Sequence, residues 1–504
     1  MKLFSQIKSG KSARIGLYTI GHSHYWNQFA GLRDRLVQYG KFIEKQMSVW
    51  GEVYNFGMVD SVEQARMAGE WFNQQNVDIL FCHAGTYAMS ANHLPIPQIC
   101  KRPIVLLNLQ PALQVNYESS TTGEWLAHCG ACGVPETVNA FTRAHVPVHI
   151  VSGLLGLSET PSISMTDEVT HGHPDAVHAW EEIHDWIRAA EVTRTLQNSR
   201  FGFLGHTYPG MLDMYSDFTM IQGKTGLHVE ILEMCDLDQI VPTVTDKEKR
   251  LKRQQVEEMF ILSEDSLADP LARRPTEEQL DWACTVAVAQ EKLVRAFDLD
   301  ALAYYYRGVP GNNYERLQEA FILGHSLLTA QGIPCSGEGD MKTALAMKIC
   351  DLLNVGGSFS EIVVADFAEQ TILVGHDGPF HLSIADSKPI LRGMGLYHGK
   401  WGSGVSVEAK VKSGPVTTLG ITQDGEQLKM IVNEAEATNG PIMHIGNTMT
   451  PVRFPFGPSE MMNRWFRLSP THHFALSVGH NAKVFHKVAS LLDMEFYIGT
   501  ESST

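Results

Sequence analysis

The chain of 504 residues has no apolar run of about 18 residues, the length that a membrane-spanning helix needs. Its first residues are also without the apolar stretch of roughly 7–15 residues and the small-residue cleavage site that mark a secretory signal peptide. We therefore expect a cytoplasmic protein with no membrane partner.

Cysteine and basic charge are scarce as well. Eight cysteines are a low density for this length, so we expect no disulfides. Cys129 and Cys132 have CxxC spacing, but no second pair completes a zinc site and no thioredoxin-like strand precedes them, which favours a structural or incidental role. The formal net charge of −16 repels polyphosphate, so nucleic acid is not an expected partner.

Short apolar runs alternate with helical patterns over the first two thirds of the chain. RIGLYTI, VDILFCH and RPIVLLNL are continuous apolar runs, as in strands of a parallel sheet that is covered on both faces. After a helix over Pro174–Gln197 the pattern restarts at SRFGFLG. A helix is expected from about Met211, and a long charged helical region from Thr245 to Asp298. We expect two Rossmann-like parallel α/β domains, at residues 1–195 and 196–355.

The pattern changes beyond residue 356. GVSVEAKVKSGPVTTLGITQDGEQLKMIVNEAEA alternates with period two and is interrupted by SG and DG turn signals. This indicates an antiparallel β-rich C-terminal domain over residues 356–504, which makes the whole chain an α/β protein of three domains.

The first candidate for chemistry is Glu338 in GEGDMKTALAMKICDLL. It lies between two glycines, just ahead of a helix that begins at about Met341 with Asp340 as its N-cap. A carboxylate there is stabilised by the helix dipole, which suits a metal ligand. The alternative is a capped helix start with Glu338 exposed.

Two further candidates lie at strand ends. Glu361 begins EIVVADF and His376 ends TILVGH, which are the positions where α/β enzymes place reactive side chains. The alternative is that His376 is a turn residue, and for Asp366 we favour a turn role satisfied by backbone groups.

His472 and His473 are adjacent in SPTHHFALSVGH. Side chains alternate along an extended segment, so at most one of the two is expected to face a shared metal. Two glutamates with two neutral histidines are typical of Mn²⁺, Co²⁺ or Mg²⁺ enzymes, whereas a structural zinc prefers thiolates.

GEGDMKTAL, SFSEIVVADF, LVGHDGPFHLSIAD and THHFALSVGH resemble, in that order, the metal-site segments of the L-arabinose isomerase family. L-Fucose isomerases are more distant relatives. The resemblance implies a divalent cation, Mn²⁺ above all, bound by four residues: Glu338, Glu361, His376 and His473. The spacing to SIA after the strand favours His376 over His381. DGPFH and GHSHYW depart from the family pattern, so the substrate is left open.

The resemblance also implies an activity. It predicts aldose–ketose isomerisation of a pentose, hexose or deoxyhexose through an enediolate, with Glu338 and Glu361 as catalytic proton carriers, in a homo-oligomer that is hexameric by analogy. The candidates for binding sugar hydroxyls lie after predicted strands or beside the metal segment: His472, Gln110, His22 and His24. Tyr397 and Trp401 either stack on a sugar face or line a subunit contact.

Two alternatives stay open. A metal-dependent sugar epimerase could use the same residues with a different pocket. A non-catalytic sugar-binding protein is the second alternative, because two α/β domains in series are also the plan of periplasmic binding folds. The absence of an export signal and the additional β domain with its expected ligands argue against the second.

Overall fold

The computed structural model describes residues 7–8, 10–159, 169–266, 268–307, 311–394 and 404–500. Tyr397 and Trp401 lie outside these residues. The chain divides into two compact units, Lys11–Arg194 and Met1–Gly10 together with Thr195–Thr504. The ranges 196–355 and 356–504 thus share one unit, and the division into three domains stays a prediction.

The unit Lys11–Arg194 is built on a five-stranded parallel sheet of order β2-β1-β3-β4-β5. Its strands are β1 Arg14–Ile20, β2 Glu52–Val59, β3 Ile79–Ala84, β4 Ile104–Gln110 and β5 Val148–Leu154. Its helices are α1 Leu32–Met47, α2 Val62–Gln74, α3 Pro95–Cys100, α4 Thr122–Leu126, α5 Val134–Arg143 and α6 Pro174–Leu196, which ends past the boundary. The predicted parallel sheet is confirmed: every residue of β3 is buried, as its continuous apolar run requires.

The second unit begins with another parallel sheet, of order β11-β10-β6-β7. The strands of this part of the chain are β6 Arg200–Gly205, β7 His228–Leu232, β8 Ile261–Leu262, β9 Ala272–Arg273, β10 Ala301–Tyr305 and β11 Cys335–Ser336. The helices are α7 Phe218–Thr225, α8 Met234–Asp238, α9 Asp246–Met259, α10 Glu277–Ala296, α11 Asn313–Glu319, α12 Phe321–Ala330 and α13 Met341–Leu352. Parallel pairing is confirmed here too, and Rossmann-type connectivity stays a prediction.

The long charged helical region expected from Thr245 to Asp298 is confirmed only in part, because it consists of two separate helices. Helix α9 ends at Met259 and α10 begins only after Thr276, whose hydroxyl accepts a hydrogen bond from Gln279 N at 3.1 Å. Pro270 and Pro275 lie in the intervening segment, and proline cannot donate the backbone hydrogen bond that would continue a helix. The two short strands β8 and β9 form there instead.

The remainder of the second unit is mostly antiparallel. Its elements are β12 Gly356–Asp366, β13 Thr371–His376, β14 Ile390–Met394, β15 Val405–Glu408, β16 Gly414–Asp424, β17 Gln427–Ala437, β18 Thr448–Arg453, α14 Pro458–Arg467, β19 His473–Val478, α15 Ala482–Leu491 and β20 Glu495–Ile498. Six strands follow the order β16-β19-β12-β13-β18-β17, and the pairing of β16 with β17 closes them into a barrel. β20 joins β17 in parallel, and β14 pairs with β15, β8 and β9 in a separate small sheet. The predicted antiparallel region is confirmed, although β8 and β9 come from the chain before residue 356.

Helix α13 connects the two parts of the second unit. It packs against β10 and β11 of the parallel sheet and against β12, β16 and β19 of the barrel. Its residues Met341–Asp351 are all buried. The N-cap of this helix, Asp340, lies beside His473, the first residue of β19. Among the described helices, none has the length and apolarity that crossing a bilayer requires.

Candidate metal centre

Glu338 lies in the tight connection between β11 and α13. Its φ is +60° and that of Gly339 is +73°, so two consecutive residues occupy the left-handed region. Tyr208 N donates to Glu338 O at 2.9 Å, and Gly339 N donates to Tyr304 O at 2.9 Å. A non-glycine residue rarely adopts a positive φ unless its surroundings impose it. The position of Glu338 is therefore set by the backbone on both sides.

Asp340 caps α13 and also holds a histidine of the barrel. Its carboxylate accepts hydrogen bonds from Thr343 N at 3.0 Å, from Thr343 Oγ1 at 2.8 Å and from His473 Nδ1 at 3.0 Å. Burial alone would raise the pKa of Asp340, but the hydrogen bond and charge of His473, the charge of Lys342 and the hydrogen bond from Thr343 N together outweigh burial, and the pKa is lowered. An ionised carboxylate on Nδ1 assigns the proton to that nitrogen, which leaves the Nε2 lone pair free.

His473 is fully buried, and burial lowers its pKa to about 4. Its Nε2 lies 3.6 Å from Glu338 Oε2. Both atoms are buried, and neither has a hydrogen-bond partner among the described residues. Buried polar atoms are rarely left unpaired because each costs about 1–3 kcal/mol. An imidazole lone pair and a carboxylate oxygen in this arrangement fit a divalent cation.

The barrel contributes the other two predicted ligands. Glu361 on β12 is paired with Gly375 of β13 and with His473 of β19. The ligand atoms of Glu361, His376 and His473 all lie within 4.8 Å of one another. His376 Nε2 is 3.8 Å from Glu338 Oε1. Ligands of one cation with bonds of about 2.1 Å are separated by roughly 3–4 Å, and the distances from Glu338 to His376 and to His473 lie in that range.

Carboxylates also surround His376 and Glu338. Burial lowers the pKa of His376, but the negative charges nearby, first that of Asp377 at 3.1 Å from Nδ1, outweigh burial and raise it. Burial is the main cause of the raised pKa of Glu338, with repulsion from Asp377 and Glu361 adding to it. A cation would relieve both the repulsion and the loss of solvent.

Asp366 has the predicted turn role, since its Oδ1 accepts from Ala368 N and Glu369 N at 3.0 and 2.9 Å.

His472 also faces Glu338, which corrects the expectation that adjacent histidines point in opposite directions. Its Nε2 lies 4.0 Å from Glu338 Oε2, and the ligand atoms of Glu338, His472 and His473 form a second group within 4.8 Å. Strict alternation applies within a strand, but β19 begins only at His473. His473 belongs to both groups, and its preference over His472 as a ligand stays a prediction.

The other predicted sugar contacts lie in the unit Lys11–Arg194. The rings of His22 and His24 are 4.8 Å apart, in the segment that follows β1. Gln110 is the last residue of β4, and its Nε2 donates to His128 O at 3.1 Å. A role for these residues in sugar binding stays a prediction.

Sequence reasoning missed three charged residues beside the site. Asp340 was expected only as a helix cap, and Asp213 and Lys342 were not singled out at all. Asp213 Oδ2 is 2.6 Å from His472 Nδ1, across 259 residues of sequence. Lys342 is buried, which lowers its pKa, while attraction to Asp340 and Asp213 opposes this. Local sequence carries no signal for contacts of such separation, although Asp340 and Lys342 stand in the same motif as Glu338.

Comparisons with known proteins give similarity at low identity to one class of enzyme. No family model matches the chain. It is 21% identical over 342 residues to the L-arabinose isomerase of Shouchella clausii, covering 67% of this chain and 68% of that protein. The corresponding enzyme of Nocardioides sp. is 23% identical, covering 66% of each chain. That of Herpetosiphon aurantiacus is 26% identical, covering 52% of this chain and 53% of its own.

The chain thus matches about two thirds or less of the length of these relatives, at low identity. A periplasmic solute-binding protein from Actinobacillus succinogenes with bound D-allose aligns at 9% identity, covering 64% of this chain and 77% of that one, with a TM-score of 0.16. A TM-score this low gives no basis for assigning a fold or a function.

Proposed function

We propose that this protein is a divalent-metal-dependent aldose–ketose isomerase that acts on a pentose, hexose or deoxyhexose. The observation that carries the proposal is the pair of buried atoms Glu338 Oε2 and His473 Nε2, which lie 3.6 Å apart and have no hydrogen-bond partner within the part of the chain that the structure describes. Glu361 and His376 place further donor atoms beside His473. The similarity to L-arabinose isomerases over about two thirds of the chain supports the same reaction class.

Glu338, Glu361, His376 and His473 would hold the cation, with Mn²⁺ the favoured metal and Co²⁺ or Mg²⁺ as alternatives. A divalent cation in such a site supplies Lewis-acid stabilisation of the negative charge that develops on the two neighbouring sugar oxygens. Asp340 keeps the proton of His473 on Nδ1, so that its Nε2 lone pair faces the site.

The proton transfers are assigned to the two glutamates together. One carboxylate takes the proton from C2 of the aldose and returns it to C1, while the other carries the hydroxyl proton from O2 to O1. The C2–H and O2–H bonds break, the C1–H and O1–H bonds form, and both glutamates end as they began. Partial burial of Glu338 and Glu361 limits competing proton exchange with water.

The experiment is a metal-controlled activity screen. The purified protein is stripped with EDTA, reloaded with Mn²⁺, and incubated with pentoses, hexoses and 6-deoxyhexoses, and the products are separated by chiral chromatography. We expect ketose from at least one aldose, only after metal is restored. Conversion that persists at full rate in EDTA contradicts the proposal.

Variants test the assignment of the glutamates. Glu338→Gln and Glu361→Gln should each lower turnover by about 10²–10⁴-fold, the usual contribution of an acid or base in a transition state. Glu369→Gln is the matched control, since it removes the same charge from an exposed residue between β12 and β13. Products that differ from the substrate only in the configuration of one carbon would instead identify an epimerase. Sugar binding without turnover in any form would identify a binding protein.

The predicted homo-oligomer is part of the proposal, and light scattering of the purified protein tests it. A hexamer is expected from the resemblance to L-arabinose isomerases. A monomer in solution would contradict this part of the proposal without affecting the metal site.

A further inference from the structure

Asp213 makes two hydrogen bonds to His472, the residue just before β19. It lies in the short 3-10 turn Leu212–Met214, between β6 and α7. Its Oδ2 accepts from the backbone N of His472 at 3.0 Å and lies 2.6 Å from Nδ1 of the same histidine. One carboxylate oxygen therefore fixes both the main chain and the ring of His472.

The hydrogen bonds of Asp213 decide which ring nitrogen of His472 is available. Burial would raise the pKa of Asp213, but its hydrogen bonds with His472 outweigh burial and lower it, so the group is an ionised acceptor. The ring proton then lies on Nδ1, and Nε2 is left as an acceptor. Nε2 is 4.0 Å from Glu338 Oε2, which is too far for a direct hydrogen bond.

The two adjacent histidines thus have the same kind of support and different exposure. Asp340 holds Nδ1 of His473, whose side chain is 0% exposed, and Asp213 holds Nδ1 of His472, whose side chain is 35% exposed. A partly exposed ring whose Nε2 lies 4.0 Å from Glu338 Oε2 can receive a ligand from outside. The buried Nε2 of His473 can receive only an atom that is already within the site.

Lys342 stabilises the carboxylates of Asp340 and Asp213, each of which is bonded to one of the two histidines. Its Nζ lies 3.2 Å from Ser216 Oγ, in the segment that carries Asp213. Attraction to Asp340 and to Asp213 opposes the effect of burial on the Lys342 ammonium. One buried cation therefore favours the ionised form of both carboxylates, which is the form that each histidine needs as its acceptor.

We propose that Asp213 is a positioning residue that presents His472 Nε2 as the hydrogen-bond acceptor for a hydroxyl of a polyhydroxylated ligand bound beside Glu338. This inference rests on the proposed function, because that function places a sugar at Glu338. The two adjacent histidines then have different roles: His473 binds the cation, and His472 binds the ligand. The proposal depends on the tautomer of His472.

The first test needs neither metal nor ligand. In metal-free protein labelled with ¹⁵N-histidine, the imidazole signals that are absent from His472→Gln belong to His472. We expect the Nδ1–H tautomer in the wild type and a change toward Nε2–H in Asp213→Asn. An Nε2–H tautomer in the wild type would overturn the inference. The outcome is independent of whether the protein is an isomerase.

The second test measures binding of hydroxyl groups by calorimetry. Ribitol, xylitol and the two arabinitols are the probes, each added to Mn²⁺-loaded protein. For the pentitol that binds most tightly, Asp213→Asn should weaken binding by about 3–10-fold, the value of one hydrogen bond. Asp217→Asn is the matched control: it makes the same change four residues away, where Asn keeps the cap of α7.

A double variant tests whether Asp213 acts through His472. If it does, Asp213→Asn combined with His472→Gln weakens pentitol binding no more than His472→Gln alone, whereas independent roles give additive losses. Mn²⁺ affinity, measured by electron paramagnetic resonance, should change less than about twofold in Asp213→Asn. Additive losses, a tenfold loss of Mn²⁺ affinity, or a wild type that binds none of the pentitols would overturn the assignment of His472 to a hydroxyl.

Discussion

Asp340 connects the start of α13 to the barrel. Its carboxylate accepts one hydrogen bond from Thr343 N and another from His473 Nδ1, each at 3.0 Å. The carboxylate thus has a role in folding and a role in the site. Asparagine caps helices about as well as aspartate. Asp340→Asn therefore separates the two roles.

We expect Asp340→Asn to weaken Mn²⁺ binding by about 10–100-fold, the usual effect of losing the carboxylate behind a histidine ligand. The amide can direct an N–H toward Nδ1, which favours the Nε2–H tautomer and removes the lone pair from the site. Titration followed by electron paramagnetic resonance measures the affinity. Asp217→Asn, at the cap of α7, is the control, and equal affinities in the two variants would show that Asp340 is only a cap.

Gly339 is required by the backbone that holds Glu338. A Cβ at this position would lie 2.6 Å from His206 O and 2.7 Å from Thr207 Cα, at a φ of +73°. Gly339→Ala should displace the neighbouring Glu338 and lower kcat/KM on the order of 100-fold. Gly425→Ala is the control, because that glycine has a φ of +57° and no atom within 4 Å of the added Cβ. Steady-state kinetics and thermal melts of both variants test this prediction. Equal losses of activity in Gly339→Ala and Gly425→Ala would contradict it.

Metal should stabilise the folded chain. A cation that binds only the native site raises the free energy of unfolding by about 2.7 kcal/mol at a concentration 100 times its Kd. Calorimetry with EDTA and with Mn²⁺ measures this as a rise in Tm. The rise should be absent from Glu361→Gln and present in Glu369→Gln. A Tm that Mn²⁺ leaves unchanged in the wild type would argue against the site.

His325 predicts a pH dependence of stability. It is fully buried, and burial lowers its pKa to about 3; neither ring nitrogen has a hydrogen-bond partner among the described residues. In the unfolded chain the ring takes up a proton near pH 6.5, its ordinary value, while the folded ring stays neutral. The unfolded state therefore binds more protons between about pH 3 and pH 6.5, and stability falls as pH falls through that window.

His325→Leu should remove this contribution, which amounts to about 1.4 kcal/mol per pH unit within the window. Urea unfolding at pH values above and below 6.5 measures how the free energy of unfolding differs between the wild type and the variant. His178→Leu, at an exposed histidine of α6, should leave the slope unchanged. Parallel pH profiles for the wild type and His325→Leu would disprove the prediction.

Local patterns predicted much of the fold. RIGLYTI forms β1, Arg14–Ile20, and TILVGH forms β13, Thr371–His376, because buried strands need continuous apolar residues. The helix expected from about Met341 begins there, with Asp340 as its cap. The helix expected from about Met211 was misplaced: a 3-10 turn occupies Leu212–Met214 and α7 begins only at Phe218, after the cap Asp217.

What sequence could not predict are contacts between distant segments. The DG turn signals the hairpin of β16 and β17, but closure of the barrel also needs β16 beside β19 and β17 beside β18. The Asp340–His473 contact joins residues 133 apart. Such contacts depend on tertiary packing and leave no periodic trace in the chain. Candidate ligands could therefore be named from motifs, while their carboxylate partners could not.

The closed barrel has a consequence for the order of events in folding. Glu361 and His473 become neighbours only when β12 pairs with β19, and Glu338 joins them only when α13 has packed against both. Pairing across more than 100 residues forms slowly, since the intervening chain must first lose its freedom. If the proposed cation binds, its uptake is expected to follow this step, so in a refolding experiment the appearance of bound Mn²⁺ would time the completion of the barrel.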